Sequence, residues 1–162
     1  MTPFARIICL GFAAAISVME AASAGTATST LGVQVVVQPS CTVSGATLDF
    51  GSYTSGQPGD LNGFTQIAYS NCPAGQLRFQ LDGGINGTTS VRKLGNGGGG
   101  LLDYRIFRDS ARTQNFGQGG EARLITLAAP GSGNVSVYGR IPAGQAVAAG
   151  TYTDTVVITL DF

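Results

Sequence analysis

From Thr30 to Gln38 the chain reads TLGVQVVVQ, with Leu31, Val33, Val35 and Val37 on every second position. A period of two predicts a strand with one apolar face. The same alternation returns at Leu77, Phe79 and Leu81, with Arg78, Gln80 and Asp82 between and beside them, and again at Leu102, Tyr104 and Ile106 and at Val135 and Val137. FTQIAYSNC and ARLITL read as less regular strands. At the C-terminal end Tyr152, Val156, Ile158, Leu160 and Phe162 share one face, which only Asp154 interrupts. No segment sustains a helical period. Glycine- and proline-rich turns such as SGQPGD, DGGINGTT, LGNGGGG and APGSGN separate the strands at the spacing of an antiparallel sandwich. The expectation is an all-β domain.

The two ends frame that expectation. Arg6, the apolar run Ile7 to Val18 and the small residues Ala22-Ser23-Ala24 have the order of a cleavable secretory signal. The apolar run is about a dozen residues, short of the ~20 a spanning helix needs. Residues 1–24 are therefore expected to be removed, leaving one domain that begins at Gly25. At the other end, an apolar strand that runs to Phe162 is expected to find no following strand in its own sequence to cover its second edge. Such an edge invites pairing with another chain.

Composition narrows the chemistry. Nine Lys and Arg balance nine Asp and Glu, and losing Arg6 and Glu20 with the signal keeps the balance, so no field steers nucleic acid or anionic lipid. Cys9 also leaves with the signal. Cys41 and Cys72 remain, and an even pair in an exported chain is expected to form a disulfide, contributing roughly 3 to 4 kcal/mol by closing its loop. With no His in the chain, two thiols do not complete a zinc shell and a Ser/His/Asp triad is impossible. No metal or cofactor is expected.

Short motifs add little. GNGGGG (Gly95 to Gly100) satisfies G-x-G-x-x-G, but the LLDYRIF that follows alternates as a strand where a dinucleotide site needs a helix. Ser90 and Lys93 in SVRK have S-x-x-K spacing without the companion motifs of penicillin-recognising enzymes. The carboxylates are scattered singly, which proposes no catalytic pair. Asp109 and Arg112 in RDSARTQNFG read as a turn brace. Asn86 and Asn134 head acceptor sequons, which matter only in a secreted eukaryotic protein.

Five segments in order carry a family resemblance: PSCTVSGATLDFGSY around Cys41, SNCPAG at Cys72, NGGGGLLDYRIFRDSARTQNFG, VYGRIPAGQ, and the closing AGTYTDTVVITLDF. Together they resemble the spore coat protein U domain family, which includes subunits of archaic chaperone/usher pili, over nearly all of residues 25–162. The resemblance implies a pilin fold, an incomplete immunoglobulin-like β-sandwich lacking its seventh strand. Its core lies open in a groove beside the C-terminal strand. A periplasmic chaperone would fill the groove first, and at an outer-membrane usher the N-terminal segment of a like subunit would replace it, which is donor strand exchange. Carried over by position, residues 25–38 become the donor segment and 39–162 the pilin domain. Leu31, Val33, Val35 and Val37 fill the donor positions, Tyr152, Val156, Ile158, Leu160 and Phe162 border the acceptor groove, and Cys41 and Cys72 match the family disulfide.

The function so implied is structural: a subunit exported to the periplasm and then to the cell surface, with chaperone, usher and like subunits as partners. The alternatives are a secreted coat protein that does not polymerise, in which TLGVQVVVQ is the first strand of its own sandwich, and a carbohydrate-binding surface protein. A tip adhesin is expected to need a further domain, for which residues 25–162 leave no room. A sugar-binding face wants exposed aromatics, and the composition, with no Trp, does not advertise them. An enzyme is the weakest reading, for want of any catalytic constellation.

Overall fold

In the computed structural model of the chain, residues 24–38 and 40–162 are described; the export signal expected over residues 1–24 lies outside them but for Ala24. Two units are distinguished, divided between Val36 and Val37. Of the first, residues 24–36 carry no regular secondary structure, and Leu31, Val33 and Val35 are between 82 % and 89 % exposed. The strand expected over Thr30–Gln38 is thus not formed. A strand exists through its ladder, and no strand pairing includes these residues.

The second unit holds the sandwich. Its strands are β1 (Thr42–Val43), β2 (Leu61–Cys72), β3 (Gly75–Leu81), β4 (Arg92–Gly95), β5 (Leu101–Phe107), β6 (Arg123–Leu127), β7 (Gly131–Ile141) and β8 (Ile158–Asp161), with one short 3-10 turn at Gly119–Glu121. They form a five-stranded sheet ordered β1-β2-β7-β5-β4 and a three-stranded sheet ordered β6-β3-β8, with every pairing antiparallel. Alternation places the core. Ile67, Tyr69, Val135, Val137, Leu102, Tyr104 and Ile106 turn inward from the larger sheet and meet Leu77, Phe79 and Leu81 from the smaller one. The rings of Tyr69 and Phe79, one from each sheet, lie 5.4 Å apart between centroids.

Two features fix the ends of the core. Cys41 and Cys72 form a disulfide, as expected, tying the residue before β1 to the last residue of β2. Arg92, the first residue of β4, is fully buried. Its guanidinium donates to the carbonyl oxygens of Asp82 (2.8 Å), Thr89 (3.1 Å), Leu81 (3.3 Å) and Phe116 (2.9 Å). Burial lowers its pKa, against the pull of the Tyr104, Asp82, Glu121 and Asp154 groups nearby. The bonds to carbonyls are what allow a charge to sit in the core without a directly paired carboxylate.

Candidate functional site: an open groove beside the last strand

The regular part of the last strand is shorter than its pattern. β8 pairs with β3 from Arg78↔Asp161 to Leu81↔Ile158. Before it the chain keeps alternating, with Tyr152, Asp154, Val156, Ile158 and Leu160 half-buried and the residues between them exposed. There the ladder gives way to single contacts. The Val157 N–H donates to the Asp82 carboxylate at 2.9 Å, and Thr153 bridges Gly95. On its other edge β8 pairs with no strand of the described residues.

Facing this edge is a segment that the pattern reading did not single out, Ala46-Thr47-Leu48-Asp49-Phe50. It belongs to no strand, yet Leu48 and Phe50 are half-buried and pack on the core. The signal was present, because Ala46, Leu48 and Phe50 alternate, but three positions are too few to separate from a turn. The larger sheet makes room for them with glycine. Gly63 of β2 and Gly139 of β7 are register partners. A Cβ on Gly139 would stand 2.6 Å from Phe50 Cζ and 2.8 Å from Leu48 Cδ2, and one on Gly63 would stand 3.1 Å from Leu48 Cδ1.

Between these two walls lies a groove of about 490 Å³, with Leu81, Ile67, Tyr104, Ile106 and Val137, all buried, and the half-buried Leu94 along its floor. A second cavity of about 540 Å³ shares Leu48, Phe50, Leu94 and Tyr152 with it and reaches Leu102, Ile141 and Val147. The lining is therefore the hydrophobic core itself.

Asp154 is the polar exception, and every contact it makes satisfies it. Its carboxylate accepts the Tyr104 hydroxyl at 2.7 Å and the N–H groups of Ile85 (2.9 Å) and Thr155 (2.8 Å). The close approach needs Gly84, which has φ +73° and where a Cβ would collide with the carboxylate. Burial, and next the hydrogen bond to Asp154, push the Tyr104 phenol well above its ordinary pKa. Asp154 thus closes the groove floor by bonding inward.

Of the residues expected to border a groove, Tyr152, Val156 and Ile158 line it. Leu160 packs half-buried on the core opposite Phe79, and Phe162, beyond the end of β8, is 54 % exposed. Leu31, Val33, Val35 and Val37 are exposed. Ser90 and Lys93 make no site: Lys93 pairs with Asp103 at 2.5 Å, and the residue of consequence in SVRK is Arg92. Asp109 braces its turn by accepting the N–H groups of Thr113 and Gln114 (3.1 and 2.8 Å). Arg112 is not its ion-pair partner and reaches instead to the carbonyls of Gly139 and Gly63.

An antiparallel two-sheet sandwich whose core opens between one irregular wall and one unpaired strand edge defines a class of β-domain. The particular family follows from sequence: the spore coat protein U domain matches residues 27–159, and the chain belongs to that family. It is 31 % identical to Protein U of Myxococcus xanthus over 166 aligned positions, covering 93 % of each chain. Among solved structures it is similar to the complex of the chaperone CsuC with the tip adhesion subunit CsuE, a pre-assembly complex of archaic chaperone-usher Csu pili of Acinetobacter baumannii. The TM-score is 0.57 at 20 % identity, over 78 % of this chain and 40 % of the matched one. That second likeness is one of fold.

Proposed function

We propose that this protein is a structural subunit of a chaperone/usher pilus or surface coat, exported by a signal at residues 1–24 and polymerising by donor strand exchange. Residues 25–38 act as the donor segment, and 39–162 form the domain that accepts one. The observation that carries the reading is the groove: core side chains line a cleft beside a strand edge with no partner among the described residues. The dimensions agree. Leu31 to Val37 and Tyr152 to Ile158 are each seven residues, about 20 Å of extended chain. Four aliphatic side chains moving from water into an apolar groove contribute roughly 6 to 12 kcal/mol before the costs of ordering. Backbone bonds to the free edge of β8 would fix the register, as in other strand additions. A periplasmic chaperone holds the groove until an usher hands it to the next subunit. Because donor and acceptor are different surfaces, the contact repeats head to tail and yields a filament.

The test is co-production with the cognate chaperone and usher, followed by gels loaded without boiling. Ladders of high mass are expected from the full chain and none from a chain lacking Gly25 to Val37. Ladders from the truncated chain would refute the donor assignment.

A further inference from the structure

The outer face of the larger sheet carries a second feature that the groove does not use. Arg105 of β5 and Arg140 of β7 are direct cross-strand partners. Like charges in that position repel, and the sequence, with as many acids as bases, had material to avoid it. Only one of the two is neutralised: Arg140 Nε lies 3.3 Å from Asp60, whereas Arg105 is exposed with no hydrogen-bond or ion-pair partner among the described residues. Both line a concavity of about 680 Å³ that Arg112 also borders. Two carboxylates share it, Asp60 paired with Arg140 and Glu121 accepting the neutral Asn115 amide at 3.2 Å, so three guanidinium groups face two carboxylates.

Aromatic rings adjoin the charges. The Arg140 guanidinium lies 5.8 Å from the Phe107 ring centre and the Arg112 guanidinium 5.7 Å from that of Tyr138. Tyr138 in turn pairs across the strands with Phe64, their centroids 5.2 Å apart, and Phe64 is 53 % exposed. Phe64 thus leaves a large ring half in water against Tyr138, on whose own ring the Arg112 guanidinium lies. A planar guanidinium fork fits a carboxylate or sulfate, and an exposed ring offers a flat apolar surface to a sugar's C–H face.

We infer that this face binds an acidic saccharide, whose uronate carboxylate or sulfate ester lies between Arg105 and Arg140 while a neighbouring sugar ring rests on Phe64 and Tyr138. The site lies on the sheet face opposite the groove and does not depend on the filament reading.

Calorimetric titration of the full exported chain, in the assembly in which it is recovered, tests this with four probes: a sulfated heparin disaccharide, digalacturonate, cellobiose and free sulfate. Binding of at least one acidic disaccharide is expected, weakening as salt is raised. Cellobiose and sulfate should bind about tenfold more weakly or not at all, and Arg105→Gln and Phe64→Ala should each cost the acidic disaccharide about tenfold. Arg105→Gln should melt no lower than the parent chain, since it relieves a like-charge pair. Failure of both acidic disaccharides to bind, equal binding of cellobiose, equal binding of free sulfate, or an Arg105→Gln chain that binds as the parent does would each overturn the inference. Gel ladders from the same preparations separate its failure from failure of the filament reading.

Discussion

Val35→Asp probes the donor assignment at its most sensitive point. Val35 is 82 % exposed in the chain, so full burial in another subunit's groove would take most of its side chain out of water and be worth about 1.5 to 3 kcal/mol. Aspartate forfeits that gain. It must also enter an apolar groove as an anion or give up its charge first, and protonating a carboxylate of ordinary pKa at pH 7 costs about 4 kcal/mol. The combined loss is about 6 kcal/mol, or roughly four orders of magnitude in the equilibrium between free and inserted donor. That consumes half or more of the gross stabilisation of four aliphatic side chains. The groove of the same subunit is untouched, so Val35→Asp should still form the chaperone complex and still accept a wild-type donor, while failing to donate. Produced alone with chaperone and usher it should give no ladder. Mixed with the wild-type chain it should shorten ladders by occupying only a chain end. Val35→Ala, which loses methyl groups and adds no charge, should show a partial defect. Wild-type ladders from Val35→Asp would refute the donor role, and equal loss of the chaperone complex would place Val35 in its own subunit's core.

Cys41→Ser opens a loop whose closure contributes roughly 3 to 4 kcal/mol, and should lower the periplasmic yield through proteolysis; unchanged yield would show the bridge to be dispensable. Arg92→Met removes the donors that satisfy four carbonyls and should destabilise the oxidised chain by about 3 kcal/mol or more in urea unfolding. A smaller loss would mean that the carbonyls find other partners. Tyr104 has a raised pKa in the folded chain, so its contribution to stability is complete below its unfolded pKa of about 10 and is lost as pH rises beyond it. Its phenolate absorbance should appear only with unfolding, and Tyr104→Phe should flatten the alkaline limb of the stability curve; parallel limbs would contradict this.

The strands were legible wherever alternation is long enough to report a half-buried face. Leu77, Phe79 and Leu81 in β3 and Leu102, Tyr104 and Ile106 in β5 turn inward as their pattern predicts. TLGVQVVVQ shows the limit of that signal, since alternation records which side a strand would bury and not whether a partner is at hand. The groove's far wall was hidden because Leu48 and Phe50 are held by space above Gly63 and Gly139, a pairing between β2 and β7 that sequence spacing does not express. Arg92 was hidden for a similar reason. In sequence it is one more polar residue beside a turn, and only the convergence of carbonyls from residues 81, 82, 89 and 116 makes its burial tolerable. The juxtaposition of Arg105 with Arg140, and of Phe64 with Tyr138, likewise depends on ladder register.

The same alternation that hid those pairs also relates the two proposed surfaces. Along β7, Val137 faces the groove while Tyr138 and Arg140 face outward, and along β5 Tyr104 and Ile106 line the groove while Arg105 faces outward. A donor strand entering the groove would therefore fill the inner face of the sandwich and leave the outer face of the larger sheet uncovered. Polymerisation would then array one acidic-saccharide site per subunit along the filament. Sites joined in this way raise one another's effective concentration, so that a contact too weak to matter singly can gain about 10² to 10⁴-fold when several engage one surface. Filaments should accordingly be retained on a uronate-rich matrix at salt concentrations that release the single subunit, and Arg105→Gln filaments should elute with the subunits. Co-elution of wild-type filaments and subunits would show that assembly leaves the outer face without consequence.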